Sequence, residues 1–373
     1  MPALHEARYY ERRPAREVVC TLCPHECHIR EGGRGACGVR FNAAGTLYTV
    51  AYERAVSRRI EPIEKKPLYH FFPGSRAYSI ATVGCNLRCS FCQNWQISQW
   101  PKDALPKRLA ARDSPGDALG FGASSLAALE DLAARVLGAP ATPRAIVDAA
   151  VASRCRSIAY TYTEPTVFYE LALDTARLAR ERGLKNVFVT NGFTSDAPLR
   201  ELSTVLDAAN VDLKFFRDES YVRISRARLS PILDAIRRYR ELGVWVEATT
   251  LVIPGINDSD DELHGIARFL ASVGEDLPWH VSGFYPAWRM KDRDPTPIET
   301  LHRAAAIGRA VGLRYVYVGN LPDREGSTTR CHACSAPLIV RSAMTVVENR
   351  VRGGCCPSCG ALVGGVAMSP PDA

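Results

Sequence analysis

Most of the cysteines fall into three groups whose spacing is that of metal ligands. The groups are Cys20, Cys23, Cys27 and Cys37; Cys85, Cys89 and Cys92; and Cys331, Cys334, Cys356 and Cys359. Cys155 and Cys355 remain outside them. A closed structural site uses four ligands, whereas a site with three leaves a position open for chemistry. The middle group is therefore the candidate reaction centre.

The middle group forms a C-x₃-C-x₂-C loop directly after a predicted strand at residues 78–83. Three thiolates can hold three irons of a [4Fe–4S] cluster and leave the fourth iron open. The amino and carboxylate groups of S-adenosylmethionine (SAM) suit that open position. Reduction would then cleave the S–C5′ bond of SAM and give a 5′-deoxyadenosyl radical that abstracts hydrogen from a substrate. The alternative is a zinc knuckle with a distant fourth ligand.

The last group has the spacing of a zinc ribbon, two knuckles separated by strand-like sequence. A segment this short needs a bound metal to fold, and zinc or a single rubredoxin-type iron would use the same four ligands. Cys355 could replace Cys356, but the segment from Cys356 to Gly360 has the better knuckle form.

The first group is predicted to be a four-cysteine structural site. It could bind zinc or a second iron–sulfur cluster, and His25 or His28 could replace one of its cysteines.

Strands that alternate with single helices must position these groups. The predicted strands are residues 78–83, 157–162, 186–189, 210–213, 244–248 and 315–318. Such alternation predicts an α/β fold with a parallel sheet, closed partly or completely into a (β/α) barrel. Cys85, Glu164, Asn191, Thr250 and Asn320 follow predicted strands, at the end where barrel enzymes place their active sites.

The chain divides into three predicted units. Residues 1–75 form a cysteine-rich metal-binding module, residues 76–325 the barrel domain, and residues 326–373 the ribbon-like module. A stretch at about 101–143, rich in Ala, Gly and Pro, is expected to be a surface insertion with a short helix around Leu129.

Composition excludes several classes of protein. The chain is 46% hydrophobic and 23% charged, as in ordinary globular proteins. Its net charge of +7 comes from scattered residues, which disfavours a nucleic-acid partner. No apolar run is long enough to span a membrane and no secretory signal begins the chain, so a cytoplasmic protein without a membrane partner is expected. Lys65 and Lys66 are expected to be a solvated pair, with substrate contact as the alternative.

Seven further motifs accompany the cysteine loop. They are residues 20–27 (CTLCPHEC), 62–70 (PIEKKPLYH), 92–95 (CQNW), 161–165 (TYTEP), 189–192 (VTNG), 210–214 (NVDLK) and 318–320 (VGN). With them the chain resembles the radical SAM proteins of the AmmeMemoRadiSam system, relatives of the pyruvate formate-lyase activating enzymes. The resemblance covers nearly the whole chain except residues 101–143.

The resemblance implies a radical SAM barrel enzyme with a [4Fe–4S] cluster and SAM. It also implies a flavodoxin- or ferredoxin-like electron donor and a connection with Memo-like and AMMECR-type proteins. A glycyl-radical activating enzyme is the alternative among enzymes. A protein that binds a partner through its metal knuckles is the alternative outside them.

Residue roles also follow from the resemblance. The backbone beside Phe91 would contact the adenine, and the segment carrying Glu164 would meet the SAM amino group. Asn191 and Lys214 match positions near the methionyl carboxylate.

Two further roles follow in the same way. Asp212 matches a carboxylate near the methionyl end and a monovalent cation, although Val189 replaces the second carboxylate of that cation site. His280 matches a histidine near SAM on a late strand, and a buried structural histidine is the alternative.

Overall fold

The computed structural model describes residues 4–109 and 121–370. At its centre is a mixed sheet of eight strands that follow one another in chain order across the sheet. The strands are β1 (Ser57–Pro62), β2 (Arg76–Ala81), β3 (Ser157–Tyr160), β4 (Lys185–Thr190), β5 (Ala208–Asp212), β6 (Trp245–Val252), β7 (Trp279–Gly283) and β8 (Val316–Gly319). Strands β2 to β8 are parallel, and β1 pairs with β2 in the antiparallel direction.

Helices connect the parallel strands as crossovers. They are α1 (Trp95–Ser98), α2 (Trp100–Ala104), α3 (Phe121–Ala134), α4 (Pro143–Ala152), α5 (Tyr169–Glu181), α6 (Asp196–Ser203), α7 (Asp218–Ser220), α8 (Ser230–Glu241), α9 (Asp260–Val273) and α10 (Ile298–Val311). Short 3₁₀ helices at Pro14–Arg16, Ile63–Lys65 and Pro165–Phe168 and a π-helical turn at Tyr221–Ser225 complete the set. No helix within residues 4–109 and 121–370 is both long and apolar enough to cross a membrane.

Local sequence explains where the crossover helices begin and end. Ser259 caps α9 by accepting a hydrogen bond from the Glu262 N–H. After α8 the chain turns at Gly243, whose φ of 79° would be strained for a residue with a side chain. The apolar stripes of the helices pack against the sheet, where Ile236 and Leu263 are fully buried. The helices therefore bury one face of the sheet and leave its strand ends free to carry loops.

The sheet contains two strands that are absent from the predicted series, the edge strand β1 and the inner strand β7, which pairs with β6 and β8. The edge strand β1 was not predicted, and its antiparallel direction makes the sheet mixed. No strand pairing joins β1 to β8 within residues 4–109 and 121–370, so closure of the sheet into a barrel is not observed among the described residues. In the expected insertion, Leu129 and Leu132 of α3 are buried in the main core, while residues 110–120 lie outside the described ranges.

The N-terminal segment consists of short antiparallel strands. One sheet has the order His5–Glu6, Thr46–Thr49, Arg40–Ala43, and another has the order Tyr10–Arg12, Val18–Cys20, Cys27–Ile29. The bridge strands Arg54–Ala55 and Ala139–Pro140 form a third pair. Phe41 and Leu47 from this segment join the main core, so the segment packs directly on the barrel.

The C-terminal segment forms an antiparallel sheet of Thr329–Arg330, Pro337–Ser342 and Thr345–Asn349. Its apolar residues Leu338 and Ile339 share a buried cluster with Tyr69 and Tyr317. Tyr317 lies near the beginning of β8, so this segment packs at the amino ends of the parallel strands.

Candidate functional site

A cavity of about 300 Å³ lies where the parallel strands end. Residues at or after the strand ends line it: Cys85, Cys89 and Cys92 after β2, Thr163 and Glu164 after β3, Thr190 and Asn191 at β4, Asp212 and Lys214 at β5, Thr249 and Leu251 in β6, and Ser282 in β7. Carboxyl ends of parallel strands meet on one face, which is why residues so distant in sequence converge here. Thr250 was expected to follow a strand but lies within β6, Asn320 follows β8, and neither is among the lining residues.

The cysteine loop begins at a tight contact with the N-terminal segment. Gly84 has φ of 102°, and a Cβ there would lie 2.8 Å from the Val39 side chain. The loop is then held by a hydrogen bond from the Arg88 N–H to the Ser225 carbonyl at 2.9 Å. A residue larger than glycine would push the loop away from Val39, so this glycine fixes where the cysteines lie.

The three sulfurs of the loop are separated and individually contacted. Cys89 Sγ lies 3.2 Å from Ser225 Oγ, and Cys92 Sγ lies 3.3 Å from Ser98 Oγ. The three sulfurs are not all within 4.8 Å of one another, as ligands of one ion would be. Each thiolate of an iron–sulfur cluster binds a different iron, so spread sulfurs fit a cluster better than a zinc knuckle.

Buried cations lie beside these thiols. Burial raises the pKa of Cys85 and of Cys89, and a nearby ammonium opposes that effect, from Lys102 on Cys85 and from Lys214 on Cys89. Lys102 is itself buried, which lowers its pKa, and its Nζ donates to the Leu87 carbonyl at 2.6 Å. The positive charges favour the thiolate form that metal binding requires.

Asp212, the last residue of β5, and Lys214, two residues beyond it, both line the cavity. Lys214 Nζ lies 2.6 Å from Asp212 Oδ2, and the Lys214 side chain is 13% exposed. Burial lowers the pKa of Lys214, but the Asp212 carboxylate and the Cys89 thiol outweigh it, and the net pKa is raised. Lys214 is therefore a fixed positive charge on the cavity wall.

Glu164 and Asn191 are buried and hold each other in place. Glu164 accepts hydrogen bonds from the N–H groups of Thr166 and Asn191 and from the hydroxyl of Thr190. Burial raises its pKa and these donors oppose the effect. The Asn191 amide donates to Asn86 Oδ1 at 2.9 Å and lies 3.8 Å from Cys85 Sγ. The two side chains thus position the cavity backbone and the cysteine loop.

Phe91 and Lys66 also line the cavity. Phe91 is buried and packs edge-on against Phe215, with ring centroids 6.0 Å apart. Lys66 was expected to be solvated, but its side chain is 1% exposed and contacts Glu61 at 2.5 Å. Tyr162 also hydrogen-bonds Glu61, so a buried polar group lies beside the cavity where the sequence predicted a solvated lysine pair, with substrate contact as the alternative.

His280 lies in a different place from the other predicted residues. It is the second residue of β7, near the amino end, and it is not among the residues that line the cavity. Its Nε2 hydrogen-bonds Glu247 at 2.7 Å, and its ring stacks on Tyr317 and meets Tyr69 edge-on. The structure therefore corresponds to the alternative, a buried structural histidine.

Sequence reasoning missed the polar neighbours of the thiols. Ser98 lies in α1 and Ser225 in the π-helical turn, and both are buried. Lys102 lies in the stretch that was interpreted as a surface insertion. Only Ser98 carried a signal, since it follows the cysteine loop closely in sequence; Ser225 comes 133 positions after Cys92 and no local pattern marks it.

The four N-terminal cysteines surround one small region. Cys20 and Cys27 are paired residues of neighbouring strands, and Cys23 lies in the turn between them. A Cβ built on Gly35 would lie 3.8 Å from the sulfurs of both Cys27 and Cys37. No three of these sulfurs lie within 4.8 Å of one another among the described residues.

The N-terminal histidines take other positions. His25 hydrogen-bonds the Asn86 carbonyl at 2.8 Å through Nε2, and His28 is exposed. His25 thus contacts the loop that carries Cys85.

The four C-terminal cysteines form a compact tetrad. Their sulfurs all lie within 4.8 Å of one another, with 3.5 Å between Cys331 and Cys359 and 3.7 Å between Cys334 and Cys356. Cys355 is not part of the tetrad. The predicted four-cysteine group is confirmed, with Cys356 as its member.

Comparisons with known proteins agree with this arrangement. The Radical SAM superfamily model matches residues 79–270, about half of the chain. An uncharacterized protein of Methanocaldococcus jannaschii is 41% identical over 339 residues, covering 91% of this chain and 92% of that protein. The pyruvate formate-lyase 1-activating enzyme of Escherichia coli is 26% identical over 161 residues, 40% of this chain and 65% of that enzyme. The isethionate sulfite-lyase activating enzyme of Oleidesulfovibrio alaskensis is 31% identical over 127 residues, 32% of this chain and 40% of that enzyme.

Proposed function

Because the chain belongs to the radical SAM superfamily, we propose that it cleaves SAM reductively with a [4Fe–4S] cluster held by Cys85, Cys89 and Cys92. The bound cluster and SAM together supply a 5′-deoxyadenosyl radical that abstracts hydrogen from the substrate. The observation that carries the proposal is the cavity itself. Three cysteines line it, and no fourth cysteine lines it among the described residues.

The other cavity residues would bind and orient SAM. Lys214, held by Asp212, provides a fixed ammonium for the methionyl carboxylate. Phe91 provides an apolar wall beside which the adenine can lie. Glu164 and Asn191 are engaged with the backbone and with Asn86, so we assign them to positioning the segments that meet the methionyl end. Val189 also lines the cavity at the position of the missing cation ligand, and a monovalent cation there remains a proposal resting on Asp212.

We assign the protein to the AmmeMemoRadiSam system, with Memo-like and AMMECR-type proteins as its companions and a flavodoxin- or ferredoxin-like protein as its electron donor. The support is the set of motifs along nearly the whole chain. Every described cysteine is a free thiol, which fits a cytoplasmic location where thiols stay reduced and can bind metals.

We also propose that the chain consists of three structural units, predicted as residues 1–75, 76–325 and 326–373. The separate small sheets formed by strands within residues 5–49 and 329–349 support the two outer units, whereas β1 (Ser57–Pro62) pairs in the central sheet, so the first boundary lies before β1 rather than at residue 75. The compact C-terminal tetrad supports zinc as its metal, because four sulfurs at these separations match tetrahedral coordination by one ion.

Anaerobic reconstitution tests the main proposal. The protein is loaded with iron and sulfide, mixed with SAM and dithionite, and assayed for 5′-deoxyadenosine. We expect formation by the wild type and a change in the cluster spectrum on SAM addition. Equal formation by a variant with Cys85, Cys89 and Cys92 all replaced by alanine would overturn the proposal.

A second candidate is a glycyl-radical activating enzyme. The observation in its favour is that two characterised relatives carry the names of such activating enzymes. This activity requires a loop of a protein substrate to enter the cavity mouth. Incubation with purified pyruvate formate-lyase, SAM and reductant, followed by electron paramagnetic resonance (EPR), tests it: a glycyl radical supports it, and its absence with active 5′-deoxyadenosine formation rejects it for that substrate.

A further inference from the structure

The N-terminal cysteine group resembles the cavity loop more than the C-terminal tetrad. One zinc ion with Zn–S bonds of about 2.3 Å holds its four sulfurs about 3.8 Å apart. The C-terminal sulfurs are at 3.5 and 3.7 Å, close to that value. Neither the N-terminal group nor the cavity loop contains three sulfurs that all lie within 4.8 Å of one another, among the residues described. A site with several irons accommodates such spacing, because each sulfur binds a separate iron.

The N-terminal group also touches the cavity loop on both sides of Cys85. The carbonyl of Cys37 is 3.3 Å from where a Cβ on Gly84 would lie. On the other side, His25 Nε2 is 2.8 Å from the carbonyl of Asn86. Only one peptide unit therefore separates each contact from Cys85 itself.

The opposite side of the group faces solvent. Ala36 is exposed, and its N–H points at Cys27 Sγ from 3.4 Å. Cys89, in contrast, is buried in the loop. The N-terminal group thus lies between the protein surface and the cavity loop.

Buried cations accompany the N-terminal group as they do the cavity loop. Arg40 is 1% exposed; its Nη2 pairs with Glu170 at 2.6 Å, and its Nη1 lies 3.8 Å from Cys20 Sγ. Lys102 packs on Gly38 beside Cys37, where a Cβ would meet Lys102 Cγ at 3.2 Å, and it also hydrogen-bonds the cavity loop at Leu87. Positive charge near an iron–sulfur site stabilises its reduced, more negative form.

We propose that Cys20, Cys23, Cys27 and Cys37 bind an iron–sulfur cluster that passes single electrons to the cluster at Cys85, Cys89 and Cys92. The inference rests on the proposed function. A cluster held by Cys20, Cys23, Cys27 and Cys37 would accept one electron from a reduced flavodoxin- or ferredoxin-class protein. It would give one electron to the cluster held by Cys85, Cys89 and Cys92, so that the electrons balance. No covalent bond and no proton changes place in this transfer.

The first experiment measures what the N-terminal group binds. Acid-labile sulfide is a component of iron–sulfur clusters, whereas a zinc or single-iron ribbon contains none. We expect a reconstituted variant with alanine at Cys85, Cys89 and Cys92 to retain acid-labile sulfide and to give an EPR signal on reduction. Full-length wild type should contain more labile sulfide than one [4Fe–4S] cluster accounts for. Absence of labile sulfide in the variant, with wild-type content equal to one cluster, overturns the inference, and zinc in place of sulfide would identify the site as structural.

The second experiment measures electron transfer. Cys27→Ser is compared with Cys334→Ser, the same substitution in the C-terminal tetrad. With a reduced ferredoxin- or flavodoxin-class donor, we expect Cys27→Ser to lose 5′-deoxyadenosine formation and Cys334→Ser to keep it in its folded fraction. With dithionite and a small mediator, both should form the product, since a small reductant does not need the N-terminal site. Unchanged protein-driven formation by Cys27→Ser overturns the relay.

The two proposals fail in distinguishable ways. Failure of wild type to form 5′-deoxyadenosine with dithionite contradicts the proposed function. The labile sulfide of the triple-alanine variant is independent of that reaction and tests the N-terminal cluster alone.

Discussion

The cavity loop and the C-terminal tetrad use the same ligand type in opposite ways. The tetrad brings four sulfurs within 4.8 Å of one another, and two of its members, Cys334 and Cys359, are exposed. The loop keeps three sulfurs apart and places them on the wall of a cavity. The first arrangement encloses one ion completely, and the second leaves room for a larger group and for a molecule beside it.

The residues around the cavity loop also differ from those that support the C-terminal tetrad. Lys102, Lys214, Ser98 and Ser225 lie around the loop sulfurs. The C-terminal module that carries the tetrad is instead attached to the rest of the protein by Arg341. Arg341 is fully buried, stacks over the Tyr69 ring at 4.1 Å and lies 3.5 Å from Glu64. The groups around the cavity loop therefore affect the chemistry of its thiols, whereas the contacts of Arg341 hold the C-terminal module in place.

The largest expected effect is at the cavity loop. Cys89→Ala removes one of three ligands, so we expect cluster binding and SAM cleavage to fall to background. Iron content and 5′-deoxyadenosine formation measure the change. Cys155→Ala is the matched control, because Cys155 is buried but lies outside the three groups. If Cys89→Ala still cleaved SAM, the distinction between the cavity loop and the C-terminal tetrad would be contradicted.

The tetrad should show a structural defect instead. Metal binding contributes about 10–16 kcal/mol to folding in zinc-finger peptides, so Cys359→Ala should unfold the C-terminal module. We expect protease cleavage within residues 326–373 and loss of one bound metal. SAM cleavage should persist in protein that stays folded, because the barrel has its own core. Cys355→Ala should leave the metal in place, and a metal-free tetrad in wild type would contradict the assignment.

A smaller effect, on stability, is expected at the joint where the C-terminal module packs against the central sheet. His70 is buried, its Nδ1 donates to the Gly364 carbonyl at 2.5 Å, and its Nε2 accepts from the Tyr317 hydroxyl at 2.5 Å. Burial lowers the pKa of His70 from 6.5 to about 4. The folded state therefore favours the neutral ring, and its contribution to stability is present above pH 6.5 and lost as the pH falls towards 4.

Urea unfolding between pH 6.5 and 4 measures this contribution. We expect wild type to lose up to about 3 kcal/mol more unfolding free energy than His70→Gln over that range. His302→Gln is the control, because the His302 side chain is 56% exposed. Equal pH dependence in wild type and His70→Gln would show that the joint does not depend on a neutral His70.

The sequence predicted the repeating part of the molecule well because that part follows local rules. Buried apolar runs and terminal glycines located six strands of the sheet, and the observed β4 and β6 extend the predicted ones by a few residues. The strand β1 was missed because its sequence, Ser57–Pro62, contains three charged residues and is mostly exposed or half-buried. An edge strand need not show the apolar pattern of a central one.

Most of the predicted site residues lie together around the cavity, and His280 is the exception because of its position along its strand. Asp212 ends β5 and Lys214 lies two residues beyond it, and both line the cavity as the sequence predicted, although Lys214 is not on the strand. His280 shares its face with Ser282, which lines the cavity, but lies one step nearer the amino end of β7. Alternation predicts on which face of a strand a side chain lies, but not how far along the strand it lies. His280 is separated from the cavity by its position along β7.

The smallest effect is expected at Lys214, where two accounts compete. The pair with Asp212 could serve only to hold β5 and the following segment, or it could hold an ammonium ready for the SAM carboxylate. If Lys214 binds SAM, Lys214→Met should keep the fold and the cluster and weaken SAM binding by about 1.5–3 kcal/mol, roughly 10- to 150-fold. The purely structural account predicts loss of stability in both Lys214→Met and Asp212→Asn without a selective change in SAM affinity.

Calorimetry on cluster-replete protein decides between the two accounts of Lys214. Lys185→Met is the matched control, because Lys185 forms a similar pair with Asp207 at 2.8 Å but does not line the cavity. Weaker SAM binding in Lys214→Met alone would place the ammonium in the cofactor site, beside the thiols whose spacing distinguishes this region from the tetrad. Equal SAM affinity in wild type, Lys214→Met and Lys185→Met would leave the ion pair a structural role only, and the cavity would then need another group to bind the carboxylate.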